Sequence, residues 1–346
     1  MRKEIITQSL NIPFIFTIIK YDYYIEGVID SILLPDEGLS EQKEDRVVFI
    51  NLSSKGRVIS KDRNGKFKLW DIIKNTVISL NELTDIEYIE FLSDGRIVGF
   101  KNGNLQIWNL ENLKLENEFS TGIDYVYGIF VIPENRIIVY GTDNDIKICD
   151  SYGNIMTLTG HTNSIRCVCI FKNKLVSGSD DNTLRIWNIS NGKCESILIG
   201  HDGYVNCVET SGDLLISGSS DETIRIWKNN ICQKVLQDKY NIGKILIFDD
   251  KIVSTWEYFH PGNNFEIKVW NINTGLCENI LHHKRYITDM KLLPNGQLIS
   301  SSLNQLTIWD LSTYEPINIW EANSIICIPS NKKIITQYKN GLRIWK

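Results

Sequence analysis

Few side chains in this 346-residue sequence are of the types that do chemistry. Of its five histidines, three invite a chemical reading. His260 lies in the longest turn of the chain, residues 258–265 (YFHPGNNF), and His282 and His283 lie in the connection into the next repeat. Glu257, His260 and His282 form a donor set that zinc accepts if neighbouring turns bring them together. The plainer reading is an exposed turn histidine beside a structural one. Eight cysteines occur, at 149, 167, 169, 194, 207, 232, 277 and 327, and none forms a CxxC pair. Cys167 and Cys207 fall at the same place in successive repeats, which reads as small buried apolar residues and free thiols in a reducing compartment. Asp180-Asp181 and Asp249-Asp250 sit where tight turns are expected, so turn formation accounts for them better than acid–base work. No nucleophile elbow, phosphate loop, HExxH or dinucleotide fingerprint occurs. The expectation is a protein without a catalytic group, cofactor or metal.

Charge narrows the partners. Asp and Glu outnumber Lys and Arg by 42 to 37, a net charge of −5. Nucleic acids and anionic membranes both call for a basic surface, so neither is expected as a partner. Arg2 and Lys3 before the apolar residues 10–19 imitate a signal peptide. Glu4, Pro13 and Tyr21-Asp22-Tyr23-Tyr24 interrupt that pattern, and no stretch is long enough to span a bilayer. The cytoplasm is the expected compartment, with the nucleus as the alternative.

Such residues need elements to position them, and the elements repeat. Short strands ending in Trp occur as KFKLWD (66–71), LQIWN (105–109), LRIWN (184–188), IRIWK (224–228), IKVWN (267–271), LTIWD (306–310) and LRIWK (342–346). IKICD (146–150) carries Cys149 in place of Trp. The anchors 70, 108, 149, 187, 227, 270, 309 and 345 lie 36 to 43 residues apart. A period near forty built of short alternating strands fits one four-stranded propeller blade. The pattern is clearest in GHTNSIRCVCIFKNKLVSGSDDNTLRIW (160–187) and GHDGYVNCVETSGDLLISGSSDETIRIW (200–227), where Asn, Asp and Gly punctuate β-branched runs.

These units resemble the WD-repeat family over about 300 residues, and the two central ones are most similar to the propellers of F-box/WD substrate receptors of ubiquitin ligases. The resemblance implies an all-β, closed WD-repeat β-propeller and a structural polar set in each strong unit: His161, Ser177, Asp181 and Trp187, then His201, Ser217, Asp221 and Trp227. An imidazole can link the turn Asp to the Ser hydroxyl, and the indole N–H supplies a further donor. His283 takes the corresponding place in the seventh unit, with Asn304 near the Asp position. Eight anchors predict eight blades, with seven as the alternative count.

Because the last Trp strand reaches the chain's end, the segment 1–44 is expected to supply an outer closing strand, from residues 4–12 or 14–20, plus a connection, and residues 45–346 the propeller. Leu34-Pro35-Asp36-Glu37 hints at the start of an F-box, but a surface connection is the plainer reading. Residues aligned at the top of the inner strands, Arg166, Asn206, Lys244, Thr288, Glu87 and Tyr127, are expected to ring one mouth of the central channel and touch a protein or peptide. Arg166 matches an arginine with which F-box/WD receptors bind phosphopeptides. The turn position where they place another arginine holds Asp180 and Ser220, and an acid there repels phosphate. The resemblance implies a non-enzymatic interaction scaffold. The other readings are a ubiquitin-ligase substrate receptor or phosphopeptide reader, and a propeller enzyme or metal-binding protein.

Overall fold

Runs such as LVSGS and LISGS, apolar or small at every position, suit strands buried on both faces, whereas the alternating runs that follow each Trp suit half-exposed ones. The computed structural model describes residues 47–345 except 53–56, 63–64, 72–73, 75, 257–264, 284–286, 294–295, 303–304, 321–324, 328–333 and 339–340. Its strands form antiparallel meanders of about forty residues each. Sheets one to seven span residues 47–80, 88–120, 126–158, 165–199, 205–237, 242–283 and 287–320, each with four strands. Residues 325–345 form a further sheet of three.

The first strands of successive sheets lie side by side in chain order, from Val47–Leu52 to Ile325–Cys327, and the last of them lies beside the first. No hydrogen-bonded ladder joins one sheet to another among the described residues. The count of complete four-stranded blades there is seven, which corrects the expectation of eight. Trp anchors count third strands, and a third strand does not guarantee a fourth. The N-terminal segment proposed to supply that fourth strand lies outside the described residues.

Sheets pack face to face, and Trp187 and Trp227 each lock their own sheet to the preceding one. Trp187, fully buried, sits among Ile138, Ile146 and Leu158 of sheet three. Trp227 packs likewise among Val176, Leu184 and Leu198 of sheet four. Cys149 fills the smaller equivalent space in sheet three, buried with Phe100 and Leu105 of sheet two. Close approach of sheets requires glycine at two places. A Cβ on Gly178 would lie 2.6 Å from Val205 Cγ1, and one on Gly218 would lie 2.4 Å from Ile242 Cγ2. The outer strands are half in water, as in Ile231–Gln237, where exposed positions alternate with half-buried or buried ones.

Candidate binding face

The chain enters each sheet on its innermost strand and leaves on its outermost. The connection into a sheet and the turn between its second and third strands therefore share one end, called here the upper face. Two questions decide what this end can do: which polar groups hold the fold, and which remain for a partner.

The histidine sets of sheets four and five belong to the fold. His161 Nδ1 lies 2.7 Å from Asp181 Oδ2, and its Nε2 2.7 Å from Ser177 Oγ. Trp187 Nε1 donates to the same Ser177 Oγ at 2.8 Å. In sheet five the distances are 2.8 Å for His201–Asp221, 2.7 Å for His201–Ser217 and 2.9 Å for Trp227–Ser217. A carboxylate only accepts, so Nδ1 carries the proton and, in the neutral ring, Nε2 accepts from the serine hydroxyl. Asp181 also accepts from Thr183 Oγ1 and the Thr162 N–H. Burial alone would raise its pKa, but the His161 and Thr183 hydrogen bonds outweigh burial and hold the carboxyl below the usual range. Asp221 behaves the same way through His201 and Thr223.

Elsewhere the Trp–Ser contact persists without the full set. Trp70 donates to Ser60 at 2.7 Å, Trp270 to Ser254 at 2.9 Å and Trp309 to Ser300 at 2.8 Å. His283 Nε2 lies 2.6 Å from Ser300 Oγ, while its buried Nδ1 has no partner among the described residues. Burial pushes the His283 pKa down to about 4. Asn304, the expected neighbour of that nitrogen, lies outside the described residues. Between sheets five and six an ion pair that sequence reasoning missed is buried, Lys268 Nζ donating to Asp238 Oδ1. The signal was a charge of each sign at repeat positions otherwise held by Gly200 and Arg225.

What remains is a row of residues at the upper ends of the inner strands. The inner strands of sheets three to seven each carry an irregularity at the second residue, where one partner is skipped. Tyr127, Arg166 and Asn206 occupy this place, and Glu87 occupies it just before Tyr88–Phe91, its N–H bonded to the Phe100 carbonyl at 2.8 Å. Lys244 does not. The irregularity of Ile242–Phe248 falls at Gly243, and Lys244 is one residue further on, paired with Asp289 of the next sheet. The one-residue slip corrects its assignment to the row. Thr288 holds the row position in Ile287–Leu292, and its side chain is outside the described ones.

Arg166 is committed within the protein. Its guanidinium bonds Asp180 of its own sheet and lies 5.0 Å from the centre of the Tyr204 ring. Asn206 donates to Ser220 Oγ and the Ile242 carbonyl, both at 3.0 Å. Tyr127 is 43% exposed, and Tyr125 and Tyr204, which sequence reasoning passed over, are 71% and 46% exposed. These two tyrosines sit at one repeat position, immediately before their inner strands, and their carbonyls accept from Thr142 and Ser220 N–H groups at 2.9 Å. Loop positions of this kind carry no periodic signal. Lower down, burial raises the Glu209 carboxyl to about 7 against the opposing charge of Lys244.

No three His, Cys, Asp or Glu side chains are grouped to hold a metal among the described residues. Glu257 and His260 lie outside them, and the exposed His282 stands 3.8 Å from Glu266. No helix among the described residues is long and apolar enough to cross a membrane.

Comparison with known proteins agrees with this geometry. The model of the family "WD domain, G-beta repeat" matches residues 153–188 and 192–228. Protein groucho of Drosophila melanogaster is 28% identical over 163 residues, covering 42% of this chain and 22% of groucho. The chain thus corresponds to under a quarter of that relative's length. Among solved structures, the computationally designed Ika8 protein aligns with a TM-score of 0.71 at 20% identity, over 88% of this chain and 97% of Ika8. The WD40 beta propeller domain of Doa1 aligns with a TM-score of 0.56 at 21% identity, over 76% of this chain and 92% of that domain. At these identities the likeness is one of fold.

Proposed function

Because this chain is a WD-repeat β-propeller protein, we propose that it works as a non-enzymatic interaction scaffold whose upper face binds a protein or peptide. The observation that carries the reading is the row Glu87, Tyr127, Arg166, Asn206. Four side chains far apart in sequence share one register on adjacent inner strands, and Tyr127 stays exposed. The His161–Ser177–Asp181 and His201–Ser217–Asp221 sets are spent inside the fold. A fold does not dictate a function, so the face itself must be tested.

The experiment is affinity purification with mass spectrometry, comparing the parent with the double variant R166A/Y127A. Partners retained by the parent and lost by the variant support the reading, and an identical set of partners overturns it. A ubiquitin-ligase receptor that reads phosphopeptides is the second reading, favoured by Arg166 alone. Asp180 already neutralises that guanidinium, so a phosphate would have to displace it.

A further inference from the structure

We infer that the partner segment taken by the upper face over sheets two to five is a peptide rich in lysine or arginine. The inference rests on the interaction reading above and names the chemistry of the partner. The surface is aromatic first: Tyr125, Tyr127 and Tyr204 all stand exposed at this end. Exposed phenol rings of this kind anchor interfaces, combining apolar area with a polar tip.

Charge selects the occupant. Three cations at this end are already neutralised, Lys101 by Asp85, Lys147 by Asp145 and Arg166 by Asp180, while Arg185 and Arg225 sit on the third strands, farther out, beside Gly160 and Gly200. Glu87 and Asp124 are exposed and Asp143 is half-buried, and Lys147, itself paired with Asp145, offsets the Asp143 charge only in part. Asp143 titrates above the usual carboxylate range, through burial first and then the nearby charge of Asp124. Carboxylates crowded in this way repel one another, and an incoming cation relieves that repulsion.

The protein holds a template for such an occupant. Over sheets four and five, a guanidinium (Arg166) lies on a tyrosine face (Tyr204) and is gripped by a carboxylate (Asp180). Two sheets earlier the register repeats with a changed charge. Tyr125 takes the place of Tyr204, and Glu87 takes the place of Arg166. That earlier position has the tyrosine and the carboxylate without the cation. A lysine or arginine from a partner supplies it, through cation–π contact and ion pairing together.

The test is fluorescence anisotropy with four labelled peptides of one length: lysine/arginine-rich, glutamine-substituted, glutamate-substituted and phosphoserine-substituted. Each is titrated with the whole protein at low and physiological salt. The basic peptide is expected to bind at least about tenfold more tightly than the glutamine peptide, and more weakly as salt screens it. E87Q/D124N/D143N and Y125A/Y127A are each expected to lose at least about tenfold, while E111Q/E134Q/D213N, at the opposite end, keeps the parent's affinity. Tightest binding by the phosphoserine or glutamine peptide, or basic binding that survives both upper-face variants, overturns the inference. Failure here, with cellular partners still lost in R166A/Y127A, would sink only the basic chemistry. Partners unchanged in that variant would sink the binding face itself.

Discussion

The Asp238 carboxylate and the Lys268 ammonium form an ion pair buried between sheets five and six, at the place where Gly200 leaves room for Arg225 between sheets four and five. Gln237 pairs with Thr223 as Ile199 pairs with Thr183, so Asp238 and Gly200 are equivalent. A Cβ on Gly200 would lie 2.8 Å from Arg225 Nη1, and Asp238 uses that proximity to reach Lys268. Asp238 is 6% and Lys268 7% exposed. Removing one partner leaves the other charge buried alone, so Lys268→Met is expected to destabilise by about 3–5 kcal/mol. Desolvation consumes most of what the pair gains, so D238L/K268M is expected to recover most of that loss. Urea unfolding of the single and double variants checks both, and equal losses in the two would refute the pairing argument.

The histidine sets predict a second pattern. Asp181→Ala and Asp221→Ala each strand buried donors and are expected to cost about 1–3 kcal/mol. Trp187→Ala opens a cavity between sheets three and four and is expected to cost about 3–5 kcal/mol. The folded Asp181 and Asp221 carboxyls titrate below the usual range. Their contribution is therefore full above the unfolded carboxylate pKa of about 4 and is lost as pH falls further. Denaturation at pH 6 and pH 3 should show the cost of Asp181→Ala shrinking in acid. Aspartate variants that keep parental stability but lose partners would show these groups to be functional.

Two buried groups titrate in opposite senses nearer neutrality. His283 has its pKa lowered from about 6.5 to about 4, so the unfolded chain takes up its proton first. Its contribution is present above pH 6.5 and is lost as pH falls toward 4. Glu209 is raised from about 4.5 to about 7, so the folded chain keeps its proton longer, and that contribution is lost as pH rises through the same window. The two slopes offset one another in the parent. Stability of His283→Gln should fall as pH rises from 4.5 to 7, and that of Glu209→Gln should rise. Variant profiles parallel to the parent's would show that neither group titrates there.

The sequence displayed the repeat because Trp, Ser and Gly are forced by packing: an indole must fill the space between sheets, a serine must meet its N–H, and nothing larger than glycine fits at 178 and 218. The blade count was less legible, since an anchor at 345 marks a third strand and says nothing of a fourth. The face was legible only in part. Glu87, Tyr127, Arg166 and Asn206 follow from counting along inner strands. Lys244 was misplaced because sheet six joins its second and third strands by a longer connection, so the Trp spacing does not carry upstream. Counting from the serines, which pair as Ser217 with Val208 and Ser254 with Ile245, gives Gly243. The aromatic character contributed by Tyr125 and Tyr204 was invisible, because a connection has no periodicity to betray exposure.

The three-stranded sheet supports a proposal for the N-terminus. Its outermost described strand, Gly341–Trp345, is an edge, and its inner strand Ile325–Cys327 lies beside Val47–Leu52, where the described chain begins. A strand from the preceding residues that paired along Gly341–Trp345 would remove a template for aggregation. Deleting residues 1–25 is expected to produce oligomers by light scattering and a lower Tm. A truncated protein that stays monomeric with the parent's Tm would rule the closing strand out.

The binding face yields the sharpest prediction. Tyr127 and Arg166 stand at equivalent places on adjacent inner strands, and neither belongs to the buried histidine sets. Arg166 lies between Asp180 and the Tyr204 ring, an arrangement that fixes its guanidinium without the partner's help. Arginine and tyrosine are the types that most often anchor interfaces, and truncating a true anchor costs at least about 2 kcal/mol, some thirtyfold in affinity. R166A/Y127A should therefore bind a captured partner at least about thirtyfold more weakly by calorimetry. Arg166→Ala also leaves Asp180 without its cation, but at a partly exposed site where ion pairs contribute little, so the Tm should stay within a few degrees of the parent's. Asp180→Asn separates the two roles of Arg166. Loosening the guanidinium while keeping its charge should weaken a basic partner only slightly and strengthen a phosphorylated peptide. A large gain for phosphorylated peptides in that variant, absent in the parent, would show Asp180 to be what keeps phosphate off this face.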